Sequence, residues 1–100
     1  MYGLNDKVIN ILLNYFKQVD QIEKVIIFGS RAYGNYKNNS NIDFALIGDI
    51  NNYLLYKIAD DLNNLPLIYK FDVLNYTSIT DEKLLEQIDM KGKIFYQRGI

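Results

Sequence analysis

Cysteine and histidine are both absent from the 100 residues, tryptophan is absent too, and proline occurs once. Without thiols there are no disulfides and no zinc–thiolate sites. Without imidazole there is no histidine acid–base catalysis. Chemistry in this chain falls to carboxylates, hydroxyls, lysine, arginine and backbone groups, a donor set that suits hard cations such as magnesium. An excess of one charge is missing as well: 11 Lys and Arg stand against 12 Asp and Glu, a formal net charge of −1. That balance leaves nothing to neutralise a run of phosphates, so duplex nucleic acid is not the expected partner. The stretch Lys91-Gly92-Lys93 is too short to change this. No apolar run approaches the roughly 20 residues of a membrane span. The N-terminus lacks the basic stretch and apolar core of a signal peptide. These absences lead to the expectation of a soluble, cytoplasmic protein with no membrane association.

What is present is the mix of a folded protein: 49% hydrophobic and 23% charged residues. The length suits one core, and a single domain is expected over residues 1–100. Val8, Ile11, Leu12, Tyr15, Phe16 and Val19 recur at three- and four-residue spacing and predict a helix capped by Asn5 or Asp6. Lys24 to Phe28 is a β-branched apolar run that reads as a buried strand, ended by Gly29-Ser30. Residues 31–40 are rich in turn formers and predict a loop with one helical turn around Arg31 to Tyr33. Ile42 to Ile47 reads as a second strand and Asn52 to Asn64 as a second amphipathic helix. Leu67 to Tyr76 reads as a third strand. A third helix carries Leu84, Leu85 and Ile88, with Thr80 as its expected cap and Gly92 as its end. Ile94-Phe95-Tyr96 is expected to dock on the core as an apolar tail. Strands with helices between them make an α+β or α/β layer.

Three polar positions interrupt the strands. Asn41 and Asp43 are two apart and so project from one face of the second strand, while Asp72 lies in the third strand between Phe71 and Val73. If those strands are neighbours, the three groups converge. Two carboxylates brought together repel and call for a cation, and Mg2+ takes a few carboxylate oxygens while leaving room for water and phosphate. Gly29 allows close approach of the backbone to a ligand, and Ser30 offers a hydroxyl to a phosphate. Such parts suit in-line transfer of a nucleotidyl group. Taken singly, each has a plainer reading: a Gly-Ser turn, a solvated Asp, an exposed Lys70–Asp72 charge pair. Arg31 has two readings, a phosphate contact or a structural group paired with a carboxylate such as Asp43, with the phosphate role slightly favoured. Tyr33, Tyr36, Tyr53 and Tyr56, four of nine tyrosines, are read as a partner surface or, more plainly, as half-buried residues.

Order and spacing favour the chemical reading. Gly29-Ser30-Arg31-Ala32-Tyr33-Gly34 followed by Ser40-Asn41-Ile42-Asp43-Phe44 resembles the Gly-Ser, ten-residue, Asp-X-Asp signature of polymerase-beta-type nucleotidyltransferases. Phe71-Asp72-Val73 is similar to the strand that carries their third carboxylate. Lys91-Gly92-Lys93-Ile94-Phe95-Tyr96 is similar to the ending of the minimal (MNT) branch. The resemblance covers nearly the whole chain. It implies an α+β polymerase-beta-like fold, a mixed sheet of three to four strands with helices packed on it. It also implies Gly29, Ser30 and Arg31 at the nucleotide, Mg2+ on Asn41, Asp43 and Asp72, and Asp72 activating the acceptor hydroxyl. ATP is the implied substrate.

The chain departs from the pattern at Asn41, where the family has Asp. An amide oxygen still reaches Mg2+ but brings no charge. A charge about 4 Å from a dication contributes several kcal/mol gross at an effective dielectric of about 20, before desolvation. Weak metal binding and slow or absent transfer are therefore expected, whether Asn41 is a natural loss or an introduced change. MNT proteins resemble the antitoxins of HEPN–MNT pairs, which implies AMP transfer to a tyrosine of a HEPN toxin. Two other readings stay open: a catalytically silent antitoxin that acts by contact, and a small-molecule transferase of the aminoglycoside type.

Overall fold

Each long helix begins where a side chain replaces a missing backbone partner. In the computed structural model, which describes residues 1–99, Asn5 caps α1 (Asp6–Gln18) by accepting the Val8 N–H at 2.9 Å. Asn51 caps α3 (Asn52–Asn63) through the Leu54 N–H at 2.8 Å. The cap of α4 (Glu82–Lys91) is Asp81, which accepts the N–H groups of Lys83 and Leu84, and not Thr80 as expected. An anionic cap also meets the positive end of the helix, which a hydroxyl does not. The short α2 (Ser30–Tyr33) follows β1 (Ile22–Phe28) directly.

Beside β1, the strands are β2 (Ile42–Gly48), β3 (Phe71–Asn75) and β4 (Lys93–Gln97), and the sheet order is β3-β2-β1-β4. β1 runs antiparallel to both β2 and β4, and β2 runs parallel to β3, with α3 as the crossover. The sheet is thus mixed and the class α+β, as the resemblance implied. Two elements differ from the sequence reading. β3 begins at Phe71, because the segment from Leu65 to Lys70 holds the turn after α3 and the lone Pro66. The apolar tail is a fourth strand: Lys93 pairs with Ile27 and Tyr96 with Val25. Gly92 permits this turn, since a Cβ there would lie 2.5 Å from the Ile88 carbonyl oxygen and 2.7 Å from Ile26.

Strand alternation sorts the side chains onto two faces. Ile27, Ile42, Phe44 and Leu46 meet Leu12 and Phe16 of α1 and Ile58 and Leu62 of α3. Phe16 packs edge-on against Phe44 at 5.3 Å between ring centroids. On the opposite face Phe28 and Ala45 meet Ile88 of α4, with Ile26 and Leu74 beside them. Asp43 and Asp72 alternate with the first set and therefore share the face of Ala45 and Leu74. None of the described helices is long and apolar enough to cross a membrane.

Candidate active site

The end of β1 and the starts of β2 and β3 meet at one edge of the sheet. Asp43 is the register partner of Phe28 on one side and of Asp72 on the other. The parallel pairing is anchored by the Ile42 N–H, which donates to the Lys70 carbonyl at 2.9 Å. Asn41, one residue before β2, donates its Nδ2–H to Asp72 Oδ2 at 3.0 Å. The three polar positions singled out in the sequence therefore do converge. Parallel register brings Asp43 and Asp72 together because each is the second residue of its strand.

This proximity has an electrostatic cost. The Asp43 carboxyl is pushed up to about 6 from its ordinary 3.8, first by burial, then by the Asp72 charge and the hydrogen bond with it. Asp72 and Asn41 are exposed, so the pair opens to solvent on one side.

Gly29 closes the other side. Its φ of +74° with ψ of −159° lies in a region reserved for glycine, and a Cβ there would run into Asp43 Oδ2. The backbone of the Gly29-Ser30 turn thus passes directly over the carboxylate. Ser30 is half-buried at the start of α2.

Of the two readings of Arg31, the arrangement is that of a structural group, with backbone carbonyls as its partners in place of a carboxylate. Its side chain is 2% exposed and donates to four backbone carbonyls: Ser40 at 3.1 Å, Tyr2 at 3.0 Å, Asn38 at 3.3 Å and Lys37 at 3.5 Å. The rings of Tyr36 and Tyr69 lie 5.3 and 4.9 Å from the guanidinium carbon. With four of its five N–H groups on carbonyls and its surface covered, Arg31 in this arrangement presents no open face to a phosphate. Nor does it pair with Asp43: among the described residues the only ion pair is Lys57–Asp61. The gathering of Tyr2, Tyr36 and Tyr69 around Arg31 had no signal in the sequence, because it is made across separate segments. Of the four tyrosines considered as a partner surface, Tyr53 and Tyr56 are largely exposed, Tyr36 is partly exposed, and the Tyr33 hydroxyl is buried without a partner.

Asp43 and Asp72 offer hard oxygen donors of the kind Mg2+ accepts, with room for other ligands on the exposed side, and Asn41 would add its Oδ1 with its amide turned over from the orientation that donates Nδ2–H to Asp72. The pair's mutual repulsion is what a cation would relieve. Its charge is only that of two carboxylates, and no group of three or more acidic, imidazole or thiol side chains placed to hold a metal occurs among the described residues. The donor chemistry fits Mg2+, with one charge fewer than three carboxylates would supply.

A sequence profile described as "Polymerase beta, Nucleotidyltransferase" matches residues 10–99. No curated protein matches the sequence. Several solved structures share the fold. A toxin–antitoxin crystal structure with AMP-PNP is 22% identical with a TM-score of 0.72, covering 95% of this chain and 76% of that one. The MntA–HepT toxin–antitoxin is 19% identical with a TM-score of 0.70, covering 93% and 73%. A tri-AMPylated Shewanella oneidensis HEPN toxin in complex with MNT antitoxin is 22% identical with a TM-score of 0.65, covering 97% and 73%.

Proposed function

This chain belongs to the polymerase beta nucleotidyltransferase family, and from that premise we propose that it is an antitoxin of the MNT type that transfers AMP from ATP to a tyrosine hydroxyl of a HEPN toxin. The observation that carries the reading is the register pairing of Asp43 with Asp72 directly beneath the Gly29-Ser30 turn. A HEPN toxin partner and AMPylation belong to a structurally similar complex and extend to this chain as part of the proposal.

In this reading residues 1–100 act as one minimal transferase domain. Ser30 and the backbone at Gly29 receive the triphosphate, the glycine because nothing larger leaves room above Asp43. Asp43, Asp72 and Asn41 hold Mg2+, which when bound supplies charge neutralisation for the attacking and leaving oxygens. Asp72, on the exposed side, accepts the proton of the acceptor hydroxyl. The hydroxyl oxygen bonds to the α-phosphorus, the bond to the pyrophosphate oxygen breaks, and pyrophosphate leaves. Asn41 lowers the rate: it fills a ligand position without charge and spends its Nδ2–H on Asp72, the group that must take the proton. Each 1.4 kcal/mol lost at the transition state is roughly tenfold in rate.

The same Asn41–Asp72 hydrogen bond favours a second reading, a silent antitoxin that neutralises its partner by contact. Incubating the chain with a HEPN partner, Mg2+ and radiolabelled ATP tests both. Label on a toxin tyrosine supports transfer. Neutralisation without nucleotide, and no label even with the Asn41→Asp form, overturns transfer in favour of contact.

A further inference from the structure

The loop of residues 34–40 separates the two halves of the site motif, and it has no strand or helix of its own. Its internal ties are few: the Ser40 N–H donates to the Lys37 carbonyl, and the Lys37 N–H to Ser40 Oγ at 2.8 Å. One side chain holds it from within. Arg31 stands next to Ser30, and three of its carbonyl acceptors, at Lys37, Asn38 and Ser40, lead into Asn41 and Asp43. Its stacked partner Tyr69 precedes Lys70, whose carbonyl anchors the start of β2 and which lies two residues before Asp72. Its fourth acceptor, the Tyr2 carbonyl, brings in the N-terminal segment. A buried cation is tolerated here because carbonyl dipoles and ring faces surround it.

We infer that Arg31 is the positioning residue of this site: it sets the distance between the Gly29-Ser30 turn and the Asp43–Asp72 pair, and it does not touch the nucleotide. The inference rests on the transferase reading above only for its kinetic consequence. All three segments that bear site residues meet on this one guanidinium. A planar fork with five N–H donors suits four carbonyls at fixed angles, and a lysine ammonium does not. A misplacement of about 1 Å at a reacting centre lowers turnover by roughly a hundredfold while leaving binding contacts in place.

The test uses the full chain with Arg31→Lys and Arg31→Ala, and Ser30→Ala for contrast. Arg31→Lys carries the test where Arg31→Ala does not fold. In the Arg31 variants, amide hydrogen exchange over residues 37–43 is expected to rise at least about tenfold while α1 and the centre of β1 stay protected. The dissociation constant for AMP-PNP is expected to stay within about threefold. Ser30→Ala should do the reverse. In the Asn41→Asp protein, adding Arg31→Lys should lower kcat at least about tenfold with KM nearly unchanged. Methylguanidinium should restore kcat to the Arg31→Ala form where an alkylammonium does not. An AMP-PNP affinity about tenfold weaker, with exchange over 37–43 unchanged, would mark Arg31 as a phosphate contact and overturn the inference. If the Asn41→Asp protein transfers nothing, the transferase reading falls, and exchange and affinity still decide the role of Arg31.

Discussion

Asp43 and Asp72 are register partners on parallel strands, and burial first, then the charge and hydrogen bond of Asp72, raise the Asp43 carboxyl to about 6. The folded protein therefore holds a proton that the unfolded chain releases near 3.8. The contribution of this group to stability is largest below about pH 4, falls as pH rises to about 6, and stays reduced above that. Solvent around the half-exposed carboxyl limits the effect to the order of 1 kcal/mol. Thermal melts should show Asp43→Asn gaining stability over the parent at neutral pH, with the gain vanishing below about pH 4. A gain of the same size at every pH would contradict this origin.

Replacing Asn41 by Asp puts a third carboxylate beside the pair and removes the amide that donates to Asp72. Without metal the variant should melt lower, and Mg2+ should raise its melting temperature by more than it raises the parent's. Transfer from radiolabelled ATP should increase at least about tenfold, as a further charge on a dication implies. Equal rates in the two forms would show that position 41 does not limit chemistry.

Gly29→Ala meets two obstacles at once, a positive φ and the Asp43 carboxylate in the path of its Cβ. The backbone conformation alone costs on the order of 1–3 kcal/mol in a non-glycine residue. A lower denaturant midpoint is expected, together with a changed Asp43 titration, because the carboxylate must move. An unaltered Asp43 titration by NMR would show that the turn and the carboxylate are not in contact.

The Tyr33 hydroxyl is buried and makes no hydrogen bond. Leaving a polar group in that state costs roughly 1–3 kcal/mol. Tyr33→Phe should therefore hold or raise stability, against the usual trend for a tyrosine with a buried hydroxyl, as read by urea unfolding. A loss of 1 kcal/mol or more (roughly the net value of one hydrogen bond) would mean that the hydroxyl has a partner.

Periodicity alone located α1, α3 and the centres of β1 and β2, since their apolar residues recur at helix or strand spacing over long enough runs. It overextended β3, where Leu67 and Tyr69 continue an apolar pattern through a turn. It left β4 as a tail, because five residues carry too little pattern to distinguish a paired strand from a docked segment. Both errors arise from hydrogen bonding between segments distant in the chain, which a local pattern does not contain.

The amino-acid order by itself determined the two halves of the motif, the two-residue spacing of Asn41 and Asp43, and the absence of any thiol or imidazole chemistry. These follow from local geometry and composition. Only the tertiary structure decided that Asp43 and Asp72 face each other, that Gly29 lies against Asp43, and that Arg31 is enclosed by Tyr36, Tyr69 and four carbonyls. Those relationships depend on strand register and on which segments share the interior, quantities that the packing of the whole sheet settles at once.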